Sequence, residues 1–107
     1  MRDNQDIVNR SVRGDRFVRF AVPEVSLDDI PLGGKLKFVA DRDEFFGGIN
    51  SKQYSSPVVD SPTWLKICQL CDQKIKVTRD FHHVFLEGVR IVARKDGVTT
   101  MEFILGS

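Results

Sequence analysis

Residues 61–105 read SPTWLKICQLCDQKIKVTRDFHHVFLEGVRIVARKDGVTTMEFIL, and two different periods follow one another in them. Trp64, Cys68, Cys71 and Ile75 recur three or four residues apart, flanked by Leu65, Ile67 and Leu70. That is the apolar stripe of a helix lying on a core. Ser61 or Asp60 can cap the first turn, and Pro62 suits the first helical position, where its missing N–H costs nothing. Lys74, Lys76 and Arg79 complement the dipole at the other end. These signals predict one main helix over residues 62–78, with Lys66, Gln69, Asp72, Gln73, Lys74 and Lys76 pointing away from the core. The composition then turns to Val, Ile and Phe over residues 81–93 and again over 98–105, with Asp96-Gly97 between. Asp-Gly is a preferred two-residue hairpin turn because both positions of a type I′ turn take positive φ. Gly88 interrupts the first strand and predicts a bulge. Val84 and Leu86 then share a face with Val89, Ile91 and Ala93, opposite an inward row of Met101, Phe103 and Leu105.

The first half is less regular. Residues 1–6 are polar and charged, which predicts a frayed end. Val18, Phe20 and Val22 alternate with Arg19 and Ala21, as in a half-buried strand that Pro23 stops. Residues 7–12 form an earlier apolar group, set off by Gly14-Asp15 as a turn. Two prolines and Gly33-Gly34 make residues 23–34 a connection, with one turn capped by Ser26. Lys35, Lys37 and Leu36, Phe38, Ala40 alternate as a strand. Phe45 to Ile49 suggests another short one, and residues 50–60 read as a surface loop. The fold class is therefore α+β, a single domain over residues 1–107 in which one helix packs on an antiparallel sheet of about four to six strands.

Sixteen basic and fifteen acidic side chains give a net charge of +1. That balance argues against a strong whole-molecule field for nucleic acid or an anionic membrane. No apolar run reaches membrane-spanning length, and Met-Arg-Asp-Asn-Gln-Asp is no signal core, so the chain is expected to be cytoplasmic. Two cysteines are too few for a secreted disulfide scaffold. Arg10, Arg13, Arg16 and Arg19 alternate with Phe17 and Phe20, a pattern that also suits contacts to a nucleic-acid strand. Asp3, Asp6 and Asp15 offset that charge, and a solvated strand edge accounts for the arginines.

Three clusters carry chemistry. Cys68-Gln-Leu-Cys71 has the spacing of a metal or redox pair, with His82 as a third ligand candidate. The pair lies inside the helical stripe, away from the helix start where a thiolate gains from the dipole, so packing is the expected role. Asp80, His82, His83 and Glu87 form the densest acid–base group. His83 and Glu87, with Asp80 or Tyr54 beside them, are the catalytic or ligand-binding candidates. Asp41, Asp43 and Glu44 do not match a calcium loop. No cofactor motif, nucleophile elbow or zinc-protease helix occurs.

A helix followed by long antiparallel strands is similar at fold level to the cone-shaped α+β domains of the nuclear-transport-factor-like or cystatin-like kind. The resemblance covers about 45 residues and rests on element order. It implies a pocket between helix and sheet near His83 and Glu87, although this chain lacks the pair of helices that precedes the first strands in nuclear transport factors. One helix covers only one face of a sheet, which makes homodimerisation through the other face or along the hairpin the expected solution. The sequence thus points first to a non-enzymatic binding or assembly module that self-associates. The alternative is a small acid–base enzyme or ligand-binding protein built around His83 and Glu87.

Overall fold

The structure, a computed structural model, describes residues 17–43 and 48–107. The expectations for residues 1–6 and 7–12, for the turn at 14–15, for Arg10, Arg13 and Arg16, and for the start of a strand at 45–47 lie outside the described residues. In chain order the elements are β1 (Arg19–Phe20), β2 (Lys35–Ala40), a 3-10 turn (Gly48–Asn50), β3 (Tyr54–Ser55), β4 (Val59–Asp60), α1 (Trp64–Thr78), β5 (Phe85–Lys95) and β6 (Val98–Gly106).

The helix has the extent that its apolar stripe demands, but its cap differs from expectation. Thr63 is the N-cap, its hydroxyl accepting from the Lys66 N–H at 3.2 Å. Pro62 therefore precedes the cap. Ser61 is engaged elsewhere: its N–H donates to the Gly34 carbonyl at 2.8 Å, and its hydroxyl accepts from the Gly34 N–H at 3.0 Å. Two further free N–H groups of the first turn, those of Trp64 and Leu65, donate to the carbonyls of Asp29 and Leu27 at 2.9 and 3.0 Å. The turn at residues 26–29 thus serves the helix start, and Ser26 caps it through its hydroxyl and the Asp28 N–H. At the other end Arg79 takes the left-handed conformation and donates to Ile75. The last carbonyls, those of Val77 and Thr78, accept from the Lys52 N–H and the Ser51 hydroxyl at 3.1 and 2.5 Å. Every one of these partners relieves a backbone group that a helix end leaves unpaired.

The strands form one sheet in the order β1-β5-β6-β2-β3, with β4 also on β2. It is mixed, not purely antiparallel: β2 runs parallel to β6, and β1 parallel to β5. Alternation tells which residues share a face and nothing about strand direction. The chain between β2 and β6 contains α1 and supplies the long crossover that a parallel pair needs. Residues 50–60 are more than a surface loop, because β3 and β4 pair antiparallel with successive parts of β2. Between them the Ser56 hydroxyl accepts from the Phe38 N–H at 2.8 Å.

Asp96 and Gly97 both have positive φ, 54° and 78°, as a type I′ turn requires. The register slips at Glu87, beside Gly88, and again at Val92, where no glycine announces it. Leu36, Phe38, Leu86 and Met101 of the sheet face Ile67, Leu70, Cys71 and Ile75 of α1, all of them buried. Phe103 stacks on Phe38 at 4.9 Å, and Phe20 meets Trp64 edge-on at 5.8 Å. The inward row of β5 stops at Val89. Ile91 and Ala93 are exposed, as is every residue from 90 to 97. No helix among the described residues is long and apolar enough to cross a membrane.

Candidate functional site

β2 and β6 stay paired only as far as Phe38 and Met101. Beyond that point Val39 and Ala40 pair with β3, while β6 continues along β5. The two strands part at their carboxyl ends, and the gap is a cleft of about 320 Å³ over the end of α1. Val39, Ala40 and Asp41 line one side, and Glu102, Phe103 and Leu105 the other. Lys74, Asp80 and His83 close it from the helix and the corner after it. Divergence at the carboxyl end of parallel strands is also what makes ligand crevices in open α/β sheets.

Lys74 is the unusual member. It is only 8% exposed, and among the described residues its ammonium has no hydrogen-bond or ion-pair partner. Its stem is buried while its Nζ is not closed off from solvent, so the charge opens onto the cleft. Lys74 and Asp72, expected from the stripe to point away from the core, are both buried. The helix is covered on more than one side. Lys74 lies under the cleft, and Asp72 lies under the strand-start residues Phe17 and Val18, whose N–H groups donate to its Oδ1 at 2.7 and 3.1 Å. A signal for Lys74 was present, since Leu70, Cys71 and Thr78 flank it at helical spacing.

The acid–base candidates separate into two places. Asp80 accepts from the N–H groups of His82 and His83 and from His83 Nδ1, the last at 2.8 Å from Oδ2. The carboxylate holds the imidazole with its proton on Nδ1 and forms the corner between α1 and β5. Glu87 is in the β5 bulge, exposed, with its carboxylate against Gly106. It is not among the cleft-lining residues. His82 is exposed, and Tyr54 is buried with its hydroxyl 3.3 Å from Gln73 Oε1. Burial, with Cys71 adding a smaller push, raises the Tyr54 phenol from 10.0 to about 12.

Cys68 and Cys71 are free and fully buried. Burial pushes the Cys68 thiol from 9.0 to about 12 and raises Cys71 further, with Lys74 opposing part of that rise. Thiols held protonated in this way are poor nucleophiles and poor metal ligands. Among the described residues no group of three His, Cys, Asp or Glu side chains is placed to hold a metal ion. Comparison with protein-family models, with curated proteins and with solved structures finds no match to this chain.

Proposed function

We propose that this protein binds a small anionic molecule, a carboxylate or phosphate compound with an apolar portion, in the cleft between the ends of β2 and β6. The reading is carried by Lys74, whose side chain is mostly buried while its ammonium opens onto the cavity without an ion-pair partner among the described residues. A bound anion supplies the missing charge. The apolar portion packs against Phe103, Leu105 and Val39, and the imidazole that Asp80 orients closes the same space. The volume lies at the lower end of the range for ligand pockets, which suits a compact molecule. Glu102 at the rim is already neutralised by Arg90, at 2.8 Å.

The test is thermal unfolding of the full chain with a panel of small carboxylates and phosphates. A ligand at about 100 times its Kd stabilises by about 2.7 kcal/mol. Lys74→Met keeps the apolar stem and removes the unpaired charge. It is expected to melt at or above the wild-type temperature and to lose the anion-dependent rise. An anion response that survives Lys74→Met, or none in the wild type, overturns the reading.

Self-association along the hairpin is the second reading, favoured by Ile91 and Val92, which are 45% and 52% exposed. β1 pairs β5 only at Phe85 and Leu86, so among the described residues the rest of that edge has no strand beside it. Light scattering above the 12.2 kDa of one chain, restored to that mass by Val92→Lys, is the outcome this reading expects. A monomer at every concentration sinks it.

A further inference from the structure

The sheet face turned away from α1 is basic, although the whole chain is nearly neutral. Residues directly opposite in a ladder share a face. Lys35 opposes Val98, which opposes Lys95; Lys37 opposes Thr100; Arg90 opposes Glu102; and Arg19 opposes Phe85. Their neighbours Leu36, Phe38, Met101 and Phe20 point into the core. Five cations thus share this face with three carboxylates, Glu102, Glu87 and Asp60, the last directly opposite Lys35 on β4. Glu102 is consumed by Arg90, and Glu87 rests against Gly106. Arg19, Lys35, Lys37 and Lys95 make no ion pair among the described residues. The exposed ring of Phe85 and the exposed Ile104 are interspersed with these charges.

We propose that this face binds a single-stranded nucleic acid. The argument is charge complementarity combined with an aromatic platform: unpaired cations neutralise phosphates, and an exposed ring on an open sheet stacks an unstacked base. A duplex keeps its bases stacked and offers this surface only its backbone. A second copy of the chain is a poor occupant, because face-to-face stacking sets like charges against each other. The surface is separate from the cleft, so either proposal can fail without the other.

The experiment is fluorescence anisotropy of the full chain with a labelled oligothymidylate of about 12 nucleotides, within the usual site size of such platforms. Binding is expected at low salt, with log K falling against log salt by about 0.7 per phosphate neutralised. Lys35→Glu with Lys37→Glu should weaken binding at least tenfold and flatten that slope. Phe85→Ala should weaken it by about tenfold with the slope unchanged. Lys66→Glu, on exposed α1 surface, should do nothing. Three outcomes overturn the proposal: no binding at low salt, equal loss with Lys66→Glu, or binding to phosphatidylserine vesicles in place of the oligonucleotide.

Discussion

On β2, Leu36 and Phe38 are fully buried, while Lys35 and Lys37 on the same strand face away from the helix. On β6, Met101 is buried and Ile104 is 43% exposed. One face of the sheet therefore has a partner in α1 and the other has none among the described residues. The covered face is apolar where α1 lies on it, and the open one mixes charges, cations in excess, with a few large apolar groups. Alternation alone makes both faces. What separates them is whether a helix arrives to exclude water, and the open face keeps the charges that solubility and binding need.

The strongest way to break the contrast is to truncate one residue on each face. Phe38 is enclosed by the core and stacked on Phe103, so Phe38→Ala should cost about 3–5 kcal/mol in urea unfolding. Ile104→Ala removes a side chain already in water and should cost less than about 1 kcal/mol. If Ile104→Ala proves as damaging as Phe38→Ala, the open face is covered in solution.

A second break lies where the chain enters the covered side. Asp72 is 3% exposed, and its carboxylate bonds the N–H groups of Phe17 and Val18 through one oxygen and Lys76 Nζ, at 2.9 Å, through the other. Asp72→Ala should cost about 1–3 kcal/mol, because two backbone donors lose their acceptor. Hydrogen exchange at the Phe17 and Val18 amides should quicken while the Leu36 and Phe38 amides stay protected. Uniform quickening would mean that the whole core loosens, and that Asp72 is no local anchor.

Much of the covered side was legible in the sequence. The stripe Trp64–Cys68–Cys71–Ile75 fixes a helix by its spacing. Asp96-Gly97 fixes a hairpin because few dipeptides take two positive φ values cheaply, and Gly88 marks its bulge by lacking a side chain. Other features have no local signature. Strand direction depends on which distant segment pairs with β2, and the bulge at Val92 occurs at a residue that favours regular strand. β3 and β4 are two residues each in a serine-rich stretch that pairs only because β2 offers an edge. Lys74 reads as a surface lysine until the splay of β2 from β6 is known. The basic face is hidden in a net charge of +1 because acidic side chains such as Glu24, Asp28, Asp29, Asp41, Asp43 and Asp80 collect in the connections between elements.

The smallest effect comes from the thiols beneath the helix, and it tests how dry the covered side is. The unfolded chain releases Cys protons near pH 9.0, whereas in the fold Cys68 releases its proton only at about 12 and Cys71 is raised as well. Between those values the unfolded state holds fewer protons than the native state. Stability is then fully present below pH 9 and declines as pH rises toward 12, by at most about 1.4 kcal/mol per pH unit for each thiol. By pH 9.5 this amounts to under about 1 kcal/mol per thiol. Tyr54, raised from 10.0 to about 12, adds a loss of the same sign above pH 10. Cys68→Ala starts from a lower stability, since it leaves a small cavity, yet its decline between pH 8 and 9.5 should be about half that of the wild type. An unchanged slope would show that water reaches Cys68 in the native state, and the difference between the two sides of the sheet would be smaller than the packing implies.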